Sequence, residues 1–353
     1  MTADPEILFE RRGAAGFVIL NRPTALNAVS HGMARALRAQ LDAWAQDDAV
    51  TRVVVTAAGD RAFSAGGDIR ALTELGQAGK HDEALQFWRD EYPLNAAIKN
   101  YRKPYVSLID GIVMGGGVGI SVHGSHRVAG DKFSFAMPEV GIGFFPDVGA
   151  TWFLPRMPGE LGAYCGLTGE RFNAADAAGG GIVTHRVPST RFSALLEGLA
   201  GTVPVDAVLA AFAEPSGEGR IVQHRAAIDR LFKSDRVEDI LAALDREAAF
   251  GHGPDAEWAG KTAHIIRTKS PLSLKLALAQ VRRGKTMDFP TCMRTEFRIV
   301  SRIIRGHDFY EGVRAVIVDK DTKPRWQPAR LAAVSEAEVE RHFAPLADEL
   351  ELP

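Results

Sequence analysis

The chain is 353 residues long and 46% hydrophobic, and its 42 Lys and Arg stand against 44 Asp and Glu for a formal net charge of -2. That length builds one large domain or two ordinary ones with ample apolar content for a core, and the near-neutral charge gives no electrostatic reason to expect nucleic acid or an anionic membrane as main partner. Cys165 and Cys292 are the only cysteines; they are too few for a disulfide framework and lack zinc-site spacing, so a reducing cytoplasm is the expected compartment.

The first twelve residues have neither the apolar core of a signal peptide nor the Arg-rich, acid-poor character of a transit peptide. Strand signals follow at Ile7 to Arg11, Gly16 to Asn21, Arg52 to Ala57, Tyr105 to Ile109, His126 to Ala129 and Ile182 to Val187, all short and rich in Val, Ile and Phe. Between them, Ser30 can cap a helix whose apolar stripe is Met33, Leu37, Leu41 and Trp44. A second helix is expected over Asp82 to Lys99. Strands alternating with helices predict an α/β core with largely parallel sheets and ligand sites at strand ends. The apolar window Tyr105 to His123 is broken by Asp110 and five glycines, so it reads as a buried strand and a glycine turn, and no membrane segment is expected.

After about Val187 helical periodicity takes over, with Pro204, Pro215, Pro254, Pro271 and Pro290 placed near helix starts. The expected division is a core over residues 1-187 and a helical C-terminal region over residues 188-353. Within the latter, Lys261 to Arg305 holds eleven Lys and Arg against only Asp288 and Glu296. Most of these charges are expected on a solvated helical face, with a few available to a phosphorylated ligand.

Three local features carry chemistry. Between Phe133 and Leu154 the only charged side chains are Glu139 and Asp147, set among Phe, Met, Pro, Val and Ile. Burying a carboxylate costs several kcal/mol or raises its pKa, so the pair reads either as groups kept for proton transfer or attack, or as caps and ion pairs. Phe63-Ser-Ala-Gly-Gly-Asp68 and Met114-Gly-Gly-Gly-Val-Gly119 each follow a strand signal, the second leading into a helical stretch over Val118 to Val122. Either is a common tight turn. Together they supply backbone N-H groups for a two-donor oxyanion hole, worth roughly 3 to 4 kcal/mol per donor. Neither matches a dinucleotide or P-loop spacing, no GxSxG elbow is present, and His123 and His126 lack the glutamate of a zinc-protease motif, so no metal is expected.

Asn21-Arg-Pro-Thr-Ala-Leu-Asn-Ala28, Phe63 to Asp68, Gly115-Gly-Gly117 and Met137-Pro-Glu139, in this order and spacing, resemble the crotonase (enoyl-CoA hydratase/isomerase) superfamily. Tyr105 to Gly124, Phe135 to Gly149 and Gly306 to Lys320 resemble its 3-hydroxyisobutyryl-CoA hydrolase branch, and the likeness spans nearly the whole chain. The resemblance implies a spiral of ββα turns with a helical C-terminal region, and an acyl-CoA thioester as substrate, so that coenzyme A enters with the substrate and no other cofactor is needed. It also implies oxyanion donors at Gly67 and Gly116, catalysis by Glu139 and Asp147, and a substrate contact from Glu91. Hydratases of the superfamily carry a further glutamate where this chain has Gly119. Family members commonly form trimers and hexamers, but the longer C-terminal region of this branch could alter or abolish that interface, so a homo-oligomer is one of the assemblies left open. The function this implies is hydrolysis of a short 3-hydroxyacyl-CoA in valine breakdown. The alternatives are hydration or isomerisation of an enoyl-CoA, or a catalytically silent acyl-CoA-binding subunit. Asp68 reads as fixing the glycine turn, Phe144, Phe145 and Trp152 as core or pocket wall, and Arg22 and Asn27 as either turn structure or part of the CoA entrance.

Overall fold

A computed structural model describes residues 4-353. The chain opens with a hairpin of β1 (Ile7–Arg12) and β2 (Ala15–Leu20), which pair antiparallel from Ile7 with Leu20 to Arg12 with Ala15. Helix α1 (His31–Gln46) follows, its first turn capped by Ser30 accepting from the Met33 N-H, and it buries Met33, Leu37, Leu41 and Trp44. Every later strand joins in parallel. β3 (Arg52–Ala57) lies beside β2, and β4 (Ala62–Ser64) starts only five residues beyond its end, followed by α2 (Ile69–Gln77) and α3 (His81–Lys99). β5 (Tyr105–Ile109), β6 (Ile112–Met114) and the single-turn α4 (Gly116–Gly119) repeat the pattern, and β7 (His126–Ala129) and β8 (Ser134–Ala136) begin it again. Helices α5 (Ala150–Phe153), α6 (Leu161–Thr168) and α7 (Ala174–Gly179) then lead to β9 (His185–Arg186).

The result is two sheets wound together, a six-stranded one in the order β1-β2-β3-β5-β7-β9 and a three-stranded one in the order β4-β6-β8. This is the ββα spiral, because each turn of chain lays one strand into each sheet before a helix returns it. Strand periodicity divides the core. Val53 and Val55 point into the main interior, whereas Val54, with Phe17, Val106, Leu108 and Val128, faces a smaller apolar cluster covered by α8 (Phe192–Ala200) and α9 (Val205–Phe212).

Helices α10 (Arg225–Leu231), α11 (Val237–Phe250), α12 (Pro254–Arg267), α13 (Pro271–Gly284), α14 (Phe289–Ile303), α15 (His307–Val313) and α16 (Glu336–Phe343) complete the C-terminal region. Two of them matter for the site: α13 packs on α5 and α6, and α14 on α3 and α5.

Several expectations need correcting. The strand expected over 182-187 shrinks to His185–Arg186, since the chain first makes a turn in which Ile182 and Val183 donate to the Ala177 carbonyl. Pro215 begins no helix; Glu214 instead bridges to Arg186. Helix α4 starts at Gly116, two residues before the expected stretch, and lasts one turn. The three-residue strands β4, β6 and β8 have no counterpart in the sequence reading, being too short to show an alternation. Among the described residues no helix is long and apolar enough to cross a membrane.

Candidate active site

The three short strands determine where the site forms. Their registers, Ser64 beside Val113 and Met114 beside Ala136, bring their carboxyl ends level. The residues just beyond are Ala65-Gly66-Gly67, Gly115-Gly116 and Met137-Pro138-Glu139, so motifs 70 residues apart in the chain become neighbours. Ligands in parallel α/β sheets characteristically bind beyond the carboxyl ends of strands. Here a cavity of about 530 Å³ opens at that place, and its walls include Gly67, Gly116, Glu91, Glu139 and Asp147. All five sequence-derived site residues therefore share one cavity.

The two glycine segments touch. A Cβ on Gly116 would lie 3.1 Å from the Gly67 nitrogen and 2.7 Å from Glu91 Oε1, so only a bare backbone lets them approach this closely. Gly115, at φ 44°, turns the chain from β6 into α4. Among the described residues neither the Gly67 N-H nor the Gly116 N-H donates to a protein group. Gly116 is the first residue of α4, where N-H groups lack intrahelical partners. Two donors without protein partners thus line one cavity.

The acids are buried: Glu91 is 1% exposed, Asp147 4% and Glu139 6%. Glu139 begins a short 3-10 turn, Glu139–Ile142, directly after the strand end, and its Oε2 has no hydrogen-bond partner in the protein. Burial, reinforced by the nearby Asp147 charge, pushes its carboxyl well above the usual range. Burial likewise raises Asp147 to about 7, against the lowering effect of hydrogen bonds from Tyr92 and Trp88; the Tyr92 hydroxyl donates to Asp147 Oδ2 at 2.9 Å. Glu91, on α3, is raised by burial and then by the Asp147 and Glu296 charges, and its Oε1 is unpartnered. Unpaired buried carboxyls of this kind characterise reactive sites more than structural ones.

Apolar rings line the rest. Trp88 stacks on Phe144 with centroids 5.8 Å apart, Phe87 meets Trp88 edge-on, and Ile142, Val316 and Ile317 complete the wall. Phe145 lies in the core, whereas Trp152 sits under the Arg156 guanidinium. Lys269, from the basic segment, also lines the cavity; burial lowers its pKa, and among the described residues no acid lies within ion-pair distance.

Other candidates are tied into the fold by hydrogen bonds. Asn27, 1% exposed, accepts from Arg22 N and donates to the Ala58 and Ala62 carbonyls. Arg22 pairs with Asp68 at 2.9 Å, and Asp68 also caps α2. His123 bonds the Val148 carbonyl and His126 bonds Asp206. Gly119 has no room for a side chain: a Cβ there would lie 2.8 Å from both Val148 Cβ and Asn95 Nδ2.

Sequence reading passed over Tyr92, Trp88, Lys269, Glu296 and the Val316-Ile317 wall. Glu296 left a signal. It falls on the apolar stripe of α14 with Cys292, Met293, Phe297 and Val300, all buried, and an acid on a buried stripe asks for an explanation.

The buried acids set a pH dependence of stability. Asp147 at about 7 and Glu296 at about 8 both exceed their unfolded values of 3.8 and 4.5, so the folded state binds the extra protons. The stabilisation from protonation is present below about pH 4 and is lost as pH rises through the folded values. Between pH 5 and 8 the melting temperature is therefore expected to fall with rising pH, and Asp147→Asn to flatten that slope. Calorimetry across the interval checks both, and a slope unchanged in the variant would refute the assignment.

A sequence profile of the enoyl-CoA hydratase/isomerase family matches residues 15–343, and the chain belongs to that family. Within it, the chain is 44% identical to the 3-hydroxyisobutyryl-CoA hydrolase, mitochondrial, of Danio rerio over 99% of its own length and 92% of the relative's. To the human protein of the same name it is 40% identical, covering 98% and 90%. Among solved structures, a carnitinyl-CoA dehydratase from Mycobacterium thermoresistibile superposes with a TM-score of 0.93 at 42% identity, covering 99% of both chains. An enoyl-CoA hydratase from Rhodobacter sphaeroides 2.4.1 gives 0.91 at 37% identity, covering 99% of this chain and all of that one.

Proposed function

We propose that the protein hydrolyses the thioester of a short 3-hydroxyacyl-CoA, with 3-hydroxyisobutyryl-CoA the substrate that the names of its relatives favour and valine breakdown the pathway that the sequence resemblance implies. The observation that carries this reading is the pair of unpartnered glycine N-H groups that line one cavity with the buried Glu139 and Asp147. The N-H groups of Gly67 and Gly116 polarise the thioester carbonyl and hold the oxyanion of the tetrahedral intermediate. Glu139 either attacks that carbonyl, giving a mixed anhydride that water then opens, or draws a proton from water attacking directly. In both routes coenzyme A leaves as a thiolate. Asp147, whose pKa near 7 allows it to hold a proton at neutral pH, delivers that proton to the sulfur.

The chemistry draws on protein groups and water, and coenzyme A arrives with the substrate. Lys269, at the wall of the same cavity and in no ion pair among the described residues, is suited to an anionic group of the CoA moiety. We propose a reducing compartment, the cytoplasm, on the two buried unpaired cysteines.

Hydratase and dehydratase names among the similar structures favour a second reading, alkene hydration. The crowding around Gly119 speaks against it, since the two-carboxylate arrangement of hydratases needs an acid there, and the Asn95 and Val148 side chains packed on it leave no space for one. Parallel assays separate the readings. Thiol release from 3-hydroxyisobutyryl-CoA is expected in wild type and lost in Glu139→Gln, with no loss of enoyl absorbance from crotonyl-CoA. Hydration without thiol release would overturn the proposal, and tight CoA binding with neither activity would make the protein a binding subunit.

Glu91 is assigned to the 3-hydroxyl. Its free Oε1 beside Gly116 accepts that hydrogen bond, and a substrate lacking the hydroxyl leaves a buried acceptor unmet. Glu91→Gln is expected to reduce the preference for 3-hydroxyisobutyryl-CoA over isobutyryl-CoA by roughly tenfold or more in kcat/KM; an unaltered ratio would remove Glu91 from substrate recognition.

A further inference from the structure

Three buried side chains from separate parts of the fold hold the backbone on either side of Asp147. Gln280 on α13 donates its Nε2 to the Pro146 carbonyl at 2.5 Å. His123, after α4, donates from Nε2 to the Val148 carbonyl at 2.7 Å. Glu296 on α14 accepts from the Gly149 N-H at 2.7 Å and the Thr151 N-H at 2.8 Å, one on each carboxylate oxygen.

The backbone they hold is strained. Val148 has φ 52°, a left-handed conformation that a β-branched residue rarely adopts, and Gly149 continues at φ 91°. Such conformations persist where surrounding contacts over-determine them, and they cluster at functional sites. Here the strain sits on the residue next to Asp147.

Glu296 is more than a helix cap. Neutral Ser or Asn side chains cap helix ends about as well as acids, and this acid is fully buried with no cation within ion-pair distance among the described residues. The ionisable groups around Asp147 are Glu139, Glu91 and Tyr92 from α3, and Glu296 from α14, with His123 behind Val148. Burial depresses His123 to about 4, so it is a neutral donor near pH 7. Burial raises Glu296 to about 8, so near pH 7 it acts on this segment through its two hydrogen bonds and not as a full negative charge.

We propose that Glu296 is a positioning residue for thioester cleavage: through the Gly149 and Thr151 N-H groups it sets the placement of Asp147, with His123 fixing the intervening Val148 carbonyl. This inference rests on the hydrolase reading of the site.

The test compares wild type, Glu296→Gln, His123→Ala and His123→Gln. In Glu296→Gln the kcat of thiol release from 3-hydroxyisobutyryl-CoA is expected to drop on the order of 10- to 100-fold with KM within about threefold, as for a misplaced catalytic group. His123→Ala is expected to lower kcat in the same way, and His123→Gln, which keeps a donor, to recover most of the rate. Wild-type kcat in both Glu296→Gln and His123→Ala overturns the proposal, as does a loss confined to KM. Should Glu296→Gln not fold, the His123 pair decides the positioning claim. A wild type that releases no thiol defeats the hydrolase reading, and the positioning claim with it.

Discussion

Glu139→Gln is expected to cut thiol release from 3-hydroxyisobutyryl-CoA by roughly 10³-fold or more while leaving the affinity for the CoA thioester within a fewfold, the pattern of a group used only in the transition state. Glutamine matches glutamate in shape, and Glu139 Oε2 contacts no protein donor, so the substitution breaks no hydrogen bond at that atom. Because a buried carboxylate near another acid is unfavourable, the variant is also expected to be at least as stable as wild type at pH 8. Lost turnover with retained stability would separate chemistry from folding. A single turnover of the wild type in ¹⁸O-water then divides the two routes: when water opens the anhydride at the Glu139 carbonyl, the label enters that carboxyl and the first product carries none, whereas direct attack by water labels the product at once. Undiminished thiol release in the variant would overturn the mechanism.

Gly116→Ala is expected to lower kcat/KM by about 10²- to 10³-fold, comparable to removing one oxyanion donor, although the N-H itself stays. The added Cβ would stand 2.7 Å from Glu91 Oε1 and 3.1 Å from the Gly67 nitrogen, distances at which something must move. Whatever moves belongs to the site, whether the Glu91 carboxyl or the facing donor. The position packs at the cavity wall, so the penalty is expected in rate more than in folding. A folded Gly116→Ala enzyme with wild-type kcat/KM would show that this backbone does not carry the oxyanion. Comparing thioester with the corresponding oxygen ester gives a further check, because both need the same donors and should lose rate together.

How much of this could be read from residues alone depended on the length scale of the signal. Helix α1 was legible because Ser30 and a four-residue apolar stripe occur together, and β3 because the continuous run Val53-Val54-Val55 suits a strand buried on both faces. The pair Glu139 and Asp147 stood out as the only charges in an apolar stretch. What stayed hidden was the second sheet. Three residues show no alternation, yet it is the level ends of β4, β6 and β8 that bring Gly67, Gly116 and Glu139 together. Tyr92 and Glu296 were missed for a related reason, since their meaning comes from partners 55 and 147 positions away, and no local pattern records such a distance. The likeness to a known family supplied Glu91, which by itself reads as an ordinary helix-face acid.

The cavity wall is assembled from widely separated stretches, the glycine turns and Glu91 before residue 120, the acids at 139 and 147, then Lys269 and finally Val316 and Ile317. Synthesis proceeds from the amino end, so the reactive carboxylates emerge from the ribosome well before the side chains that enclose them. A nascent chain halted near residue 290 holds both acids and both glycine turns, but neither the Glu296 contact nor the last wall of the pocket. Its spiral strands are present and its reaction chamber is open to water. Turnover is therefore expected to switch on only when the chain is nearly finished, which keeps half-made copies from cleaving thioesters while they are still tethered.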